Sequence, residues 1–72
     1  MHELGAITAK RLVAALKRLG FYEVRQTGSH LQLKRGNLHA TVPMHTGDLS
    51  RGVVRSILRQ TRLAPEQLKE VL

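Results

Sequence analysis

Apolar positions near the start of the chain recur at helical spacing. Leu12, Ala15, Leu16 and Leu19 fall at i, i+3, i+4 and i+7, which predicts a helix over residues 8–19 with one apolar stripe. Thr8 is placed to cap its start, and Gly20 to stop it. Lys10, Arg11, Lys17 and Arg18 lie mostly off the stripe. The period then shortens to two. Residues 22–26, Tyr-Glu-Val-Arg-Gln, alternate as a half-buried strand does, and Thr27-Gly28 can turn the chain. Residues 29–35 read as a second strand. Leu31 and Leu33 share one of its faces, and His30, Gln32 and Lys34 share the other. Gly36-Asn37 is a compact hairpin signal. Residues 38–42 form a third strand with Leu38, Ala40 and Val42 inward and His39 and Thr41 outward. Pro43 ends it, because proline cannot donate to a ladder.

Residues 44–50 read as a loop. Ser50 can cap a second long helix, whose apolar stripe is Val53, Val54, Ile57 and Leu58. Arg51, Arg55, Arg59 and Arg62 step along the same helix by four, four and three, so they make one continuous basic face. Pro65 suits the first turn of a short terminal helix that Leu68, Val71 and Leu72 could pack down. The predicted class is α+β: an α-β-β-β-α order with a three-stranded antiparallel sheet and a short extra C-terminal helix. So short a meander cannot bury both faces. The helices should cover one and leave the other open, as in a double-stranded-RNA-binding domain.

Composition narrows the function. The 72 residues fit a single domain, 1–72, with a modest core and no room for a large enclosed pocket. Chemistry must then happen on an open surface, which suits a large substrate. Cysteine is absent, which excludes disulfides, thiolate metal sites and cysteine nucleophiles. No apolar run approaches the roughly 18 residues of a membrane span. Met1-His2-Glu3-Leu4 lacks the basic and apolar segments of a signal peptide, and His2 beside it is set aside. The expected location is cytoplasmic, with no membrane partner. Twelve Lys and Arg against five Asp and Glu give a formal charge of +7. Eight of the twelve are Arg, whose planar fork of donors fits phosphate and stacks on bases. This balance favours a polyanionic partner over a merely solvated surface.

Three histidines remain: His30, His39 and His45. No HxH, HxxxH or HExxH spacing joins them, and Glu23 and Asp48 add little, so no metal or other cofactor is expected. Ser29 and His30, read as neighbours in one strand, point to opposite faces, which argues against a serine nucleophile activated by His30. There is no carboxylate pair, phosphate-cradling glycine loop or dinucleotide fingerprint. RNA, however, brings its own nucleophile, the 2′-hydroxyl. One histidine on an open basic face could take that proton as a general base, with Arg25 or Lys34 stabilising charge on the phosphate. His39 is a candidate proton partner for His30 or a solvated strand residue. Read from the residues alone, a lone strand histidine is more often solvated than catalytic.

The motifs taken together carry more weight. Gly20-Phe21, Val24-Arg25-Gln26, Gly28-Ser29-His30, Thr41-Val42-Pro43 with His45, and Leu49, Gly52 and Arg55-Ser56-Ile57-Leu58-Arg59-Gln60 occur in order within a short chain. In these the chain resembles the HicA (YcfA-like) family of toxin–antitoxin systems, messenger-RNA interferases, from about Thr8 to Leu72. The resemblance implies a double-stranded-RNA-binding type of fold, and metal-independent RNA cleavage with His30 at the catalytic position. It also implies a HicB-like antitoxin as partner. The expected RNA contacts are Arg25, Ser29, Gln32, Lys34, His39, His45, Arg51, Arg55 and Arg59. The rival readings are a non-catalytic RNA-binding module and a protein that only holds an antitoxin. Three positions depart from the family pattern. Arg62 replaces a usual Gly, so the second helix is expected to end less sharply or to extend. Ala64 replaces a capping Ser or Thr before Pro65, and Leu33 replaces a frequent aromatic. Phe21 and Tyr22 are the only aromatics, which limits base stacking.

Overall fold

A computed structural model describes residues 5–72; Met1 to Leu4, and with them His2 and the reading of the N-terminus, lie outside the described residues. The order is α1 (Ala9–Arg18), β1 (Tyr22–Thr27), β2 (His30–Arg35), β3 (Leu38–Pro43), α2 (Arg51–Thr61) and α3 (Pro65–Val71). The strands pair antiparallel in the order β1-β2-β3. This is the predicted meander with its extra terminal helix, and the double-stranded-RNA-binding type of layout fits it.

Local chemistry sets the ends of α1. Thr8 is extended, and its Oγ1 accepts the Arg11 N–H at 3.2 Å. At the other end Gly20 takes φ +98. The Phe21 N–H then reaches the Leu16 carbonyl and the Gly20 N–H the Lys17 carbonyl, both at 3.0 Å, which closes the helix. The reversal drives Phe21 into the core. Arg35, at the end of β2, locks the corner. Its guanidinium donates to the Leu19 carbonyl at 2.6 Å and lies 4.9 Å from the centre of the Phe21 ring.

The core joins α1 (Leu12, Val13, Ala15, Leu16), β2 (Leu31, Leu33), β3 (Ala40, Val42) and α2 (Val54, Ile57), with Leu68 of α3 closing one end. Burying each of the larger aliphatics is worth roughly 1.5–3 kcal/mol. Ile7, Leu49 and Leu63 belong to the core although they lie outside the periodic stripes. Ile7 and Leu49 are tied together, because the Leu49 N–H donates to the Ile7 carbonyl at 2.8 Å beside a bridge between Thr8 and Asp48. The loop before α2 is therefore anchored to the segment before α1.

Strand β1 departs from expectation. The alternation of residues 22–26 predicts a half-buried strand, yet all six residues of β1 are exposed. The helices pack over β3, and β1 projects past them as an edge strand held by its ladder to β2. A bulge interrupts that ladder, since Glu23 pairs with Leu33 and Arg25 with Gln32, leaving Val24 as the extra residue.

The second hairpin turn and the helix caps mostly follow the sequence. Gly36 takes φ +59 at the first position of a two-residue turn. Ser50 Oγ accepts the Val53 N–H at 3.2 Å and starts α2. The expectation of a blurred end at Arg62 is corrected. Arg62 itself adopts the left-handed conformation (φ 59, ψ 30), and α2 stops cleanly at Thr61. The Leu63 N–H donates back to the Leu58 carbonyl at 3.1 Å, and Leu63 is buried behind it. Ala64 has no acceptor to offer α3, but Gln67 Oε1 takes the Ala64 N–H at 2.8 Å and supplies half of a capping box.

Candidate functional site

The register of the sheet defines the uncovered face residue by residue. Cross-strand partners share a face, so three rows run across it. Thr27, His30 and Pro43 form the first, Arg25, Gln32 and Thr41 the second, and Tyr22, Lys34 and His39 the third. The opposite face holds Leu31, Leu33, Ala40 and Val42 against the helices. His30 is exposed on the open face as the periodicity predicts, while Gln32 and Lys34 are half-buried among their neighbours.

The β1–β2 turn positions His30. Gly28, at φ +60, occupies the first of two turn residues, and Thr27 pairs directly with His30 across it. Ser29 is therefore the second turn residue, not a member of β2, and the turn is Gly28-Ser29 rather than Thr27-Gly28. A glycine that accepts positive φ at the first position selects this two-residue turn. The Gln26 side-chain amide donates to the Gly28 carbonyl at 3.1 Å and braces it. Ser29 contributes its carbonyl to the Met44 N–H, which extends the β2–β3 ladder one step past Pro43.

The register also separates residues that the sequence grouped. His39 pairs with Lys34, whereas His30 pairs with Pro43. The two histidines are thus four residues apart along the sheet, about 13 Å at the usual strand rise. His39 is not a proton partner for His30. His45 falls at the correct end instead, two residues past Pro43, and its ring Nδ1 lies 3.0 Å from the Thr46 carbonyl. Arg25 is exposed in the row next to His30.

The basic stripe of α2 lies elsewhere. Arg51, Arg55 and Arg59 are exposed along α2, off the buried line of Val54, Ile57 and Thr61, and Arg62 is exposed just past its end. The stripe therefore belongs to a helix packed on β3, whereas His30 stands at the start of β2. The molecule is thin, with its Cα atoms spanning 17 Å along the shortest axis.

Two site-building residues escape the sequence reading. Gln60 Oε1 accepts the Thr41 N–H at 2.9 Å, and its amide donates to Ser56 Oγ at 3.1 Å. It ties α2 to the outer edge of β3 and caps an otherwise unpaired donor. The sequence marks it as the last residue of the Arg55–Gln60 motif, with nothing to show that it reaches β3. Tyr22 is the second, exposed on the same face as Lys34 and His39. Among the described residues no three His, Asp or Glu side chains come together in a group able to hold a metal ion. No helix among them is long and apolar enough to cross a membrane.

Residues 9–63 match a family model described as the HicA toxin of bacterial toxin–antitoxin systems. No curated protein matches the chain significantly.

Proposed function

The chain belongs to the HicA toxin family, and from that premise we propose that it is an endoribonuclease in which His30 is the general base. The observation that carries this reading is the exposed position of His30 at the end of β2, on the one sheet face that no helix covers. Family membership supports the toxin role and a pairing with an antitoxin; a HicB-like protein that covers this face is the proposed partner.

In the proposed reaction, His30 accepts the proton of a ribose 2′-hydroxyl. The O2′ forms a bond to the adjacent phosphorus, and the bond from phosphorus to the 5′-oxygen breaks. The departing oxygen takes a proton from water at this open face. The products are a 2′,3′-cyclic phosphate and a 5′-hydroxyl end. The nucleophile belongs to the RNA and the base is an imidazole, so the step calls for no metal. Arg25, one row from His30, is placed to offset charge on the phosphorane. Gln32 stands beside it, and Ser29 and His45 flank the same end of the sheet. Lys34 and His39 extend the RNA track to the far end. Arg51, Arg55 and Arg59, exposed along α2, offer phosphate contacts for RNA that continues past the sheet.

The test is to incubate the wild type and His30→Ala with messenger RNA in EDTA and follow cleavage. The expected result is a loss of about 10²–10⁴ in rate, the usual contribution of a general base. Equal cutting by the two proteins would sink the assignment. Intact RNA that remains bound by the wild type would select the non-catalytic binding module instead.

A further inference from the structure

Tyr22 and Val24 are the large hydrophobics that stand exposed among the described residues, Tyr22 at 56%. Tyr22 pairs with Lys34, which pairs with His39. An exposed aromatic ring, an ammonium and an imidazole thus line up across the open face, four residues along β2 from His30. That offset is about 13 Å by the usual strand rise, a gap that a few nucleotides of extended strand would bridge. Among the described residues no helix covers the row, because the helices pack on the other side of the sheet.

We propose that this row is a second subsite for single-stranded RNA, with a base stacked on Tyr22 and the neighbouring phosphate held by Lys34. The proposal rests on the ribonuclease reading and extends it by naming the form of the substrate. The chemistry favours this occupant over others. A ring with an adjacent cation is the pairing that single-stranded nucleic acid uses, a π-face for the base and a charge for its phosphate. Bases stacked inside a duplex have no free face to offer, so a double helix would leave Tyr22 unused. The formal charge of +7 draws the strand to the surface. His39 takes a role here: too far from His30 to share a proton, it borders the stacked base with polar donors.

The experiment exploits the composition. Tyr22 is the only tyrosine and the chain has no tryptophan, so intrinsic fluorescence reports on this ring alone. His30→Ala protein would be titrated with a single-stranded RNA dodecamer and with the duplex of the same sequence. The expected result is quenching by the single strand and little by the duplex. For the variants that lack the tyrosine, binding is read from the anisotropy of a dye-labelled strand: adding Tyr22→Ala should weaken single-strand binding about tenfold, the size expected for one lost stacked base, and Tyr22→Phe should restore it. Circular dichroism would establish that the Tyr22 variants remain folded. Equal binding by the Tyr22→Ala variant, or equal quenching by duplex, overturns the subsite while leaving wild-type cleavage to stand or fall separately. If Tyr22→Ala spares RNA binding but abolishes antitoxin binding, the row is a protein contact and the proposal is wrong. If no RNA is bound by any variant and none is cut by the wild type, the ribonuclease reading has failed and the subsite with it.

Discussion

The side chain of Gln60 accepts a hydrogen bond from the backbone N–H of Thr41 at 2.9 Å. One glutamine thereby joins the middle of β3 to the last turn of α2 and occupies the outer edge of the sheet. Gln60→Ala should cost about 0.5–1.5 kcal/mol, the usual net value of such a bond. Gln60→Glu keeps an acceptor and should cost less. Urea unfolding midpoints of the three proteins, with unchanged slopes, would measure the difference.

Arg62 holds a left-handed backbone, φ 59 and ψ 30, that glycine adopts without penalty. We expect Arg62→Gly to stabilise the protein by about 1 kcal/mol, which corresponds to a rise in Tm of roughly 4–8 °C for a chain of this size. A calorimetric scan decides it; an unchanged or lower Tm would mean that the arginine side chain makes up for its own strain.

Gly20 presents the opposite case. Its φ is +98, and a Cβ built on it would lie 3.1 Å from Cδ of Arg35. Gly20→Ala should destabilise by about 1–2 kcal/mol, mostly through the backbone. The double variant Gly20→Ala with Arg35→Ala removes the contact but not the strain. It also loses the bond to the Leu19 carbonyl and the Phe21 ring contact. A double-mutant cycle would separate those losses from the backbone cost.

Leu33 lies at the centre of the sheet with no exposed surface. Leu33→Ala should cost about 2–5 kcal/mol. Domains this small have little stability to spare, so the variant should be largely unfolded at 37 °C by circular dichroism. A cooperative melt near the wild-type Tm would contradict the core described above.

The arginines exposed along α2 should reveal themselves through salt. If Arg55 and Arg59 hold RNA phosphates, each change to Ala lowers the slope of log binding constant against log salt by about one. Unaltered slopes would remove α2 from the RNA track and leave its stripe to an acidic protein surface.

Most of the fold is legible in local chemistry. Thr8 and Ser50 cap the helices as read, Gly20 ends α1, and Gly36 turns the second hairpin. The stripes of α1 and α2 and the alternation of β2 and β3 find the core. What escapes depends on choices between elements. Tyr22, Val24 and Gln26 alternate like a half-buried strand, but only the packing of the helices over β3 decides that β1 goes uncovered. His30 and His39 share a face by parity, yet their separation follows from register, which no count along one strand supplies. Ser29 looks like strand until Gly28 takes the first turn position. Arg62 carries no residue-type signal for a left-handed backbone, and Ile7 and Leu49 reach the core from irregular segments through a single bridge. The identity of His30 as the residue to test comes from family resemblance; the structure supplies its exposure and its neighbours.

Because no residue of β1 is fully buried, the strand is held chiefly by its ladder to β2 and by the ion pair between Glu23 and Lys17 of α1. An edge strand with few buried contacts is the element expected to open locally, and its amide protons should exchange with deuterium sooner than those of β3, which the helices cover. Arg25 and Tyr22 ride on that edge strand, while His30, Gln32 and Lys34 ride on the central one beside it. An RNA lying across both would stitch them together, so recognition would also protect the edge strand against local opening.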